Sequence, residues 1–138
     1  MIRKVIFAKE IIISVSNKIG VLAGVAGIIA DHGINVAALA GYGKSEKKEA
    51  EVLLVTSDNL RAVDVLKKNG YGIPGERDVL VLELENKPGV LKTVTAVLAE
   101  NGIDIKHIYG SACPGGCPAT IVLNTSDNEK ALVAFKKL

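Results

Sequence analysis

The sequence predicts an α+β protein of two ferredoxin-like βαββαβ domains, each an antiparallel sheet with helices on one face. Three observations predict it. The chain repeats itself at half its length of 138 residues, each half opens on a stretch of period-two apolar alternation, and the period changes to that of a helix just after a glycine. Displaced by 69 residues, Asn17-Lys18-Ile19-Gly20-Val21-Leu22 falls on Asn86-Lys87-Pro88-Gly89-Val90-Leu91, His32-Gly33-Ile34-Asn35 on Asn101-Gly102-Ile103-Asp104, and Thr56-Ser57-Asp58-Asn59 on Thr125-Ser126-Asp127-Asn128. The domains implied are residues 1–69 and 70–138.

Each element follows from local chemistry. Ile11, Ile13 and Val15 alternate with Ile12, Ser14 and Ser16, as Leu80, Leu82 and Leu84 do with Val81, Glu83 and Glu85, which predicts strands with one buried face. Val21, Leu22, Val25, Ile28 and Ile29 form one helical stripe, matched by Val90, Leu91, Val94, Val97 and Leu98. Gly33 and Gly102 then stand where a helix ends. Second strands follow at roughly 35–41 and 104–110, and third strands at 51–56 and 120–125. Ser57-Asp58 and Ser126-Asp127 offer caps for second helices burying Leu60, Val63 and Leu66, or Leu132 and Phe135. Residues 71–77 supply a closing strand for the first half, and they lie over residues 2–8 at the same offset. Residues 2–7 are therefore expected to fill an edge position beside a first strand. They do so either through a hairpin at Lys9-Glu10 or by crossing to the second half.

Composition narrows the function. A net charge of +2, scattered Lys and Arg, and 4% aromatic residues give neither the basic face nor the stacking platforms of a nucleic-acid binder. No apolar run approaches the ~20 residues of a membrane span. The apolar start is too short for a secretory signal, so the cytoplasm is the expected compartment. No nucleophile, base and orienting acid stand in a catalytic pattern, which predicts a non-enzyme without a cofactor.

The pattern of a strand, then Asn-Lys-Pro-Gly-Val-Leu opening a helix, then Glu-Asn-Gly-Ile-Asp at its end resembles the ACT family of small-ligand regulatory domains, in particular its stand-alone tandem members. The first copy departs from the family in having Ile19 where proline is usual. The resemblance implies a free amino acid bound between domains packed side by side through their second strands. The turn before the first helix would form one wall (Asn17, Lys18, Ile19, Gly20, Val21 and Leu22, or Asn86, Lys87, Pro88, Gly89, Val90 and Leu91). The neighbour's second strand would form the other (Val36 and Ala38, or Ile105, His107 and Tyr109). It further implies control of a partner enzyme; dimerisation is expected because an exposed second-strand edge invites pairing.

Physical chemistry supports those turns independently. The first N–H groups of a helix have no acceptor within it, and with the helix dipole they favour a carboxylate. Glycine allows close approach, and Asn17 and Asn86 can both donate and accept. A tight turn that merely starts a helix well is the competing reading. In the second strands Val36, Ala38 and Ala40 correspond to Ile105, His107 and Tyr109; the ring and the hydroxyl either select a ligand side chain or fill a sheet surface. His32, at a helix C-terminus, is expected to be structural.

Cys113 and Cys117 flank Pro114-Gly115-Gly116 and are expected to be two thiols in a glycine-rich turn, a metal clip or a disulfide being the alternatives. The corresponding segment Lys44-Ser45-Glu46-Lys47-Lys48 reads as a solvated charge run. Gly20, Gly24 and Gly27 read as a bare helical face packed against a neighbour, at an interface between copies. Against a ligand sensor stand two other functions: a regulatory or scaffolding subunit of an amino-acid biosynthetic enzyme with no ligand of its own, and a metal or redox module.

Overall fold

The computed structural model of the protein describes residues 1–44 and 48–138. Ser45, Glu46 and Lys47, the middle of the expected charge run, lie outside the described residues. In chain order the elements are β1 (Ile2–Ser16), α1 (Val21–Asp31), β2 (Val36–Gly43), β3 (Glu49–Thr56), α2 (Asn59–Lys68), β4 (Gly72–Leu84), α3 (Val90–Glu100), β5 (Ile105–Ser111), β6 (Ala119–Thr125) and α4 (Asn128–Lys136).

The chain divides into two compact units, an N-terminal unit of Lys9–Arg77 and a C-terminal unit of Met1–Ala8 with Asp78–Leu138. Strand β1 runs unbroken through Lys9 and Glu10, so it makes no hairpin there. Its first residues belong to the C-terminal unit, where Ile2 and Val5 pack on the core and the Met1 carbonyl accepts from Glu85 N at 2.8 Å. Strand β4 is likewise continuous; residues 72–77 close the N-terminal unit, and residues 78–84 open the C-terminal one. Within the N-terminal unit the strand order is β2-β3-β1-β4, and within the C-terminal unit β1-β4-β6-β5. Both are the sheet of a ferredoxin-like fold.

The repeat extends to strand register. Ile11 pairs with Leu54 and Ile13 with Val52, as Leu80 pairs with Leu123 and Leu82 with Ile121, all antiparallel. These residues face the helices. The N-terminal core joins them to Val25, Ile29, Ile34, Val65 and Leu66, and the C-terminal core to Val94, Leu98, Ile103, Ala131 and Phe135. The second helix of the N-terminal unit is rotated from its expected face. Leu60 is 83% exposed, and the buried stripe is Ala62, Val65 and Leu66. Capping explains this. Asp58 accepts from Arg61 N, which starts α2 at Asn59 and turns Leu60 outward in the first turn.

A second repeated device was not legible as such. Asn59 Oδ1 accepts from Thr56 N, and its Nδ2 donates to the Lys9 carbonyl at 2.7 Å. Asn128 likewise joins Thr125 N to the Asp78 carbonyl. Each asparagine ties the start of a helix to the first residue of its unit's leading strand segment.

Candidate functional site

The turns ahead of α1 and α3 have the same build. Gly20 (φ 88°, ψ −4°) and Gly89 (φ 90°, ψ −11°) occupy the N-cap position in the left-handed region, where a Cβ is strained, and among the described residues neither helix receives a side-chain cap. Gly20 therefore lies outside α1, not within it as the sequence pattern implied. By contrast α2 and α4 are capped by carboxylates, with Asp58 accepting from Arg61 N and Asp127 from Lys130 N. The first-turn amides of Leu22 and Ala23 in α1, and of Leu91 and Lys92 in α3, have no acceptor from helix geometry. Residues 17–20 and 86–89 are exposed. Leu22 and Leu91, expected in the buried stripe, are exposed too, whereas Val90 is buried.

Each turn abuts the far end of its own unit's outer strand. Asn17 N donates to the Lys48 carbonyl at 2.8 Å, and its side-chain amide lies against Gly43, where a Cβ would come within 2.9 Å of Nδ2. Asn86 Nδ2 donates to the Cys113 carbonyl at 2.9 Å. The amide of Asn86 is thus engaged in holding a loop.

Among the described residues strand β2 is bonded only to β3 and β5 only to β6, so each second strand has an open outer edge there. A bulge separates Val36 from Ala38 and Ile105 from His107. Pairing Ala38 with Val55 and Ala40 with Leu53 puts both alanines on the helix-free face, as pairing Tyr109 with Val122 and His107 with Asn124 does for the ring pair. Val36 sits opposite Thr56, and Ile105 packs on the helix-side core. The extra residue of a bulge breaks period-two alternation, so these two residues do not join the others. The His107 and Tyr109 rings stack, with centroids 5.4 Å apart and planes at 21°. His32 Nδ1 lies 2.8 Å from the Ile28 carbonyl, a local helix-end contact.

Two polar features of the N-terminal unit were not read from the sequence. A cavity of about 230 Å³ is lined by Ser14, Val15, Ser16, Lys44, Glu49 and Ala50. Serines on alternate positions of an otherwise apolar strand were the available sign. Nearby, buried Glu10 meets Arg77 Nε at 2.9 Å, and Glu51 receives Tyr42 Oη at 3.0 Å and Lys44 Nζ at 3.2 Å. Burial pushes the Glu51 carboxyl up, but the hydrogen bonds from Tyr42 and Lys44 and the charges of Lys44 and Arg77 outweigh it, so the group stays below the ordinary carboxylate range. Burial, then the hydrogen bond and charge of Glu51, raise the Tyr42 phenol.

The expectation of two free thiols is corrected: Cys113 and Cys117 are bridged, with Cα atoms 5.8 Å apart. The turn of Pro114-Gly115-Gly116, with Gly116 at φ 83°, folds the chain back far enough to join them. The expected bare face of α1 is also revised. A Cβ on Gly24 would meet the Tyr71 hydroxyl at 2.6 Å, so that glycine makes room for a side chain of its own unit; the space around Gly27 is open. Among the described residues no helix is long and apolar enough to cross a membrane.

Residues 79–138 match the family model described as ACT domain, and residues 11–69 that described as AHAS small subunit-like ACT domain. No curated protein matches the sequence. Among solved structures, protein BT0572 from Bacteroides thetaiotaomicron is 28% identical, with a TM-score of 0.85 over 96% of this chain and 89% of that one. The ligand-free regulatory subunit of aspartate kinase from Thermus thermophilus is similar at 18% identity and a TM-score of 0.68, over 99% and 97%. An aspartokinase structure of alpha and beta subunits gives 18% and 0.66, over 99% and 95%. With both repeats matched, the chain belongs to the ACT family and carries two ACT-type regulatory domains in tandem.

Proposed function

We propose that the protein is a non-catalytic sensor of a free amino acid, whose carboxylate is received by the open first turns of α1 and α3. The observation that carries this reading is the contrast between helix starts. Two helices have a carboxylate cap from the adjacent aspartate, and two begin at a left-handed glycine with no side-chain cap among the described residues. Orphan amides at a helix N-terminus favour an anion through both hydrogen bonds and the dipole. The open edges of β2 and β5 support assembly with a second copy, which would bring a neighbour's second strand toward each turn. His107 and Tyr109 would then meet the ligand's side chain. The name of the similar aspartate kinase regulatory subunit supports, by analogy of fold, an output through a partner enzyme. The proposed setting is the cytoplasm, with no nucleic acid, membrane or cofactor involved.

A thermal-shift panel of the twenty amino acids tests it, because a ligand that binds only the native state raises the melting temperature. The parent protein should respond to one or a few. Gly89→Asn fills the open space over the turn with a residue that tolerates the left-handed region, so it should keep the fold and lose the part of the response due to the second turn. A flat panel for the parent protein rejects the sensor.

A further inference from the structure

The bridged pair Cys113–Cys117 lies in the connection from β5 to β6, and this connection touches the turn ahead of α3 through the hydrogen bond from Asn86 Nδ2 to the Cys113 carbonyl. Cys117 is exposed and Cys113 half-buried, so small reagents reach the pair. Their Cα separation of 5.8 Å is ordinary for a disulfide, and Cys117 N donates to Cys113 Sγ at 3.2 Å, which holds the turn in a shape ready to close. An exposed disulfide across so short a loop restrains few unfolded conformations and belongs to the labile class. The equivalent loop of the N-terminal unit has no cysteine.

We propose that Cys113 and Cys117 form a thiol–disulfide switch that sets the position of Asn86, and through it the affinity of the α3 turn for its ligand, while leaving the α1 turn unaffected. The effect on affinity rests on the sensor reading; the switch itself does not. Oxidation proceeds by exchange with a low-molecular-weight disulfide. The Cys117 thiolate attacks one sulfur of that reagent, an S–S bond breaks, and one small thiolate leaves. The Cys113 thiolate then attacks the Cys117 sulfur of the mixed disulfide and expels the second small thiolate. The pair loses two electrons and two protons, the reagent is reduced to two thiols, and a dithiol reductant reverses the process. In the bridged form the Cys113 carbonyl is held against Asn86. In the reduced form the Pro-Gly-Gly segment is released, and the hydrogen bond weakens.

The full-length chain is incubated with oxidised glutathione or with a dithiol, and two readings are taken. Alkylation with mass detection should find no reactive thiols in the oxidised protein and two in the reduced one. The side-chain amide signals of Asn86, assigned by their loss in Asn86→Asp, should shift on reduction and exchange with solvent about three- to tenfold faster, as expected for one lost hydrogen bond. Those of Asn17 should stay in place. Cys113→Ser should show the reduced pattern under both treatments. Failure of the bridge to form, or an Asn86 signal indifferent to redox state, overturns the switch. An amino-acid response equal in both states, with Asn86 moving, overturns the coupling to affinity. The absence of any amino-acid response, with Asn86 still moving, refutes the sensor reading and leaves the switch standing.

Discussion

Replacing Arg77 by methionine removes the guanidinium whose Nε stands 2.9 Å from Glu10 Oε1, and keeps much of the aliphatic stem. Glu10 is 0% exposed and Arg77 30%. Taking one partner from a buried ion pair costs about 3–5 kcal/mol, because the remaining charge stays desolvated. Arg77 reaches solvent, so water can follow it out, and the lower end, about 3 kcal/mol, is expected after that discount. For a chain of this size about 1 kcal/mol lowers Tm by roughly 3–5 °C, which makes the expected drop roughly 10 °C. Urea unfolding followed by circular dichroism should give a lower midpoint with an unchanged slope. Amide exchange should locate the loss in Lys9–Arg77, the unit that holds both residues. Removing both charges in Glu10→Leu/Arg77→Met should recover most of the stability, since an apolar pair suits a buried site. The reasoning is refuted if Arg77→Met stays within about 0.5 kcal/mol of the parent, the range of neutral surface changes, or if the double variant is less stable than the single one.

Deleting Met1–Ala8 should remove the edge strand of the C-terminal unit and the burial of Ile2 and Val5, lowering stability by about 2–4 kcal/mol; amide exchange in β6 and α3 should accelerate while β3 and α2 keep their protection, and equal loss in both units contradicts the strand assignment. Gly27→Ala should stabilise α1 by about 0.5–1 kcal/mol, whereas Gly24→Ala should gain as much only together with Tyr71→Phe, which removes the hydroxyl a new Cβ would meet; equal melting shifts for the two single variants would show the hydroxyl to be irrelevant. Because the folded Glu51 carboxyl is held below its ordinary value, it contributes stability that is complete above its unfolded pKa and is lost as pH falls through the depressed one; its carbon-detected NMR titration should move up in Tyr42→Phe and in Lys44→Met, and an unmoved midpoint would remove those hydrogen bonds as the cause. Asp58→Ala and Asp127→Ala should each cost about 1 kcal/mol through loss of a helix cap, read by thermal melting.

What the sequence determined alone was everything set by spacing along the chain. A period of two in residues 11–16 and 80–85, a period near 3.6 after Gly20 and Gly89, and aspartates one position ahead of α2 and α4 each express an interaction among residues a few positions apart, so they declare themselves without a fold. The duplication made every such reading twice. The open turns of the candidate site were legible for the same reason, since glycine at the N-cap is a local demand of the backbone. What only the tertiary structure decided depends on partners far apart in the chain. Residues 2–7 are apolar enough to join either unit, and the choice fell to the C-terminal unit because Ile2 and Val5 find its core. The pairing of Glu10 with Arg77 spans the whole N-terminal unit, and no local pattern marks a buried carboxylate that will meet a cation there. The bulges that part Val36 from Ala38 and Ile105 from His107 arise from register against β3 and β6, which alternation along one strand cannot reveal. The joining of Cys113 to Cys117, and its link to the turn ahead of α3 through Asn86, likewise required two loops to be brought side by side.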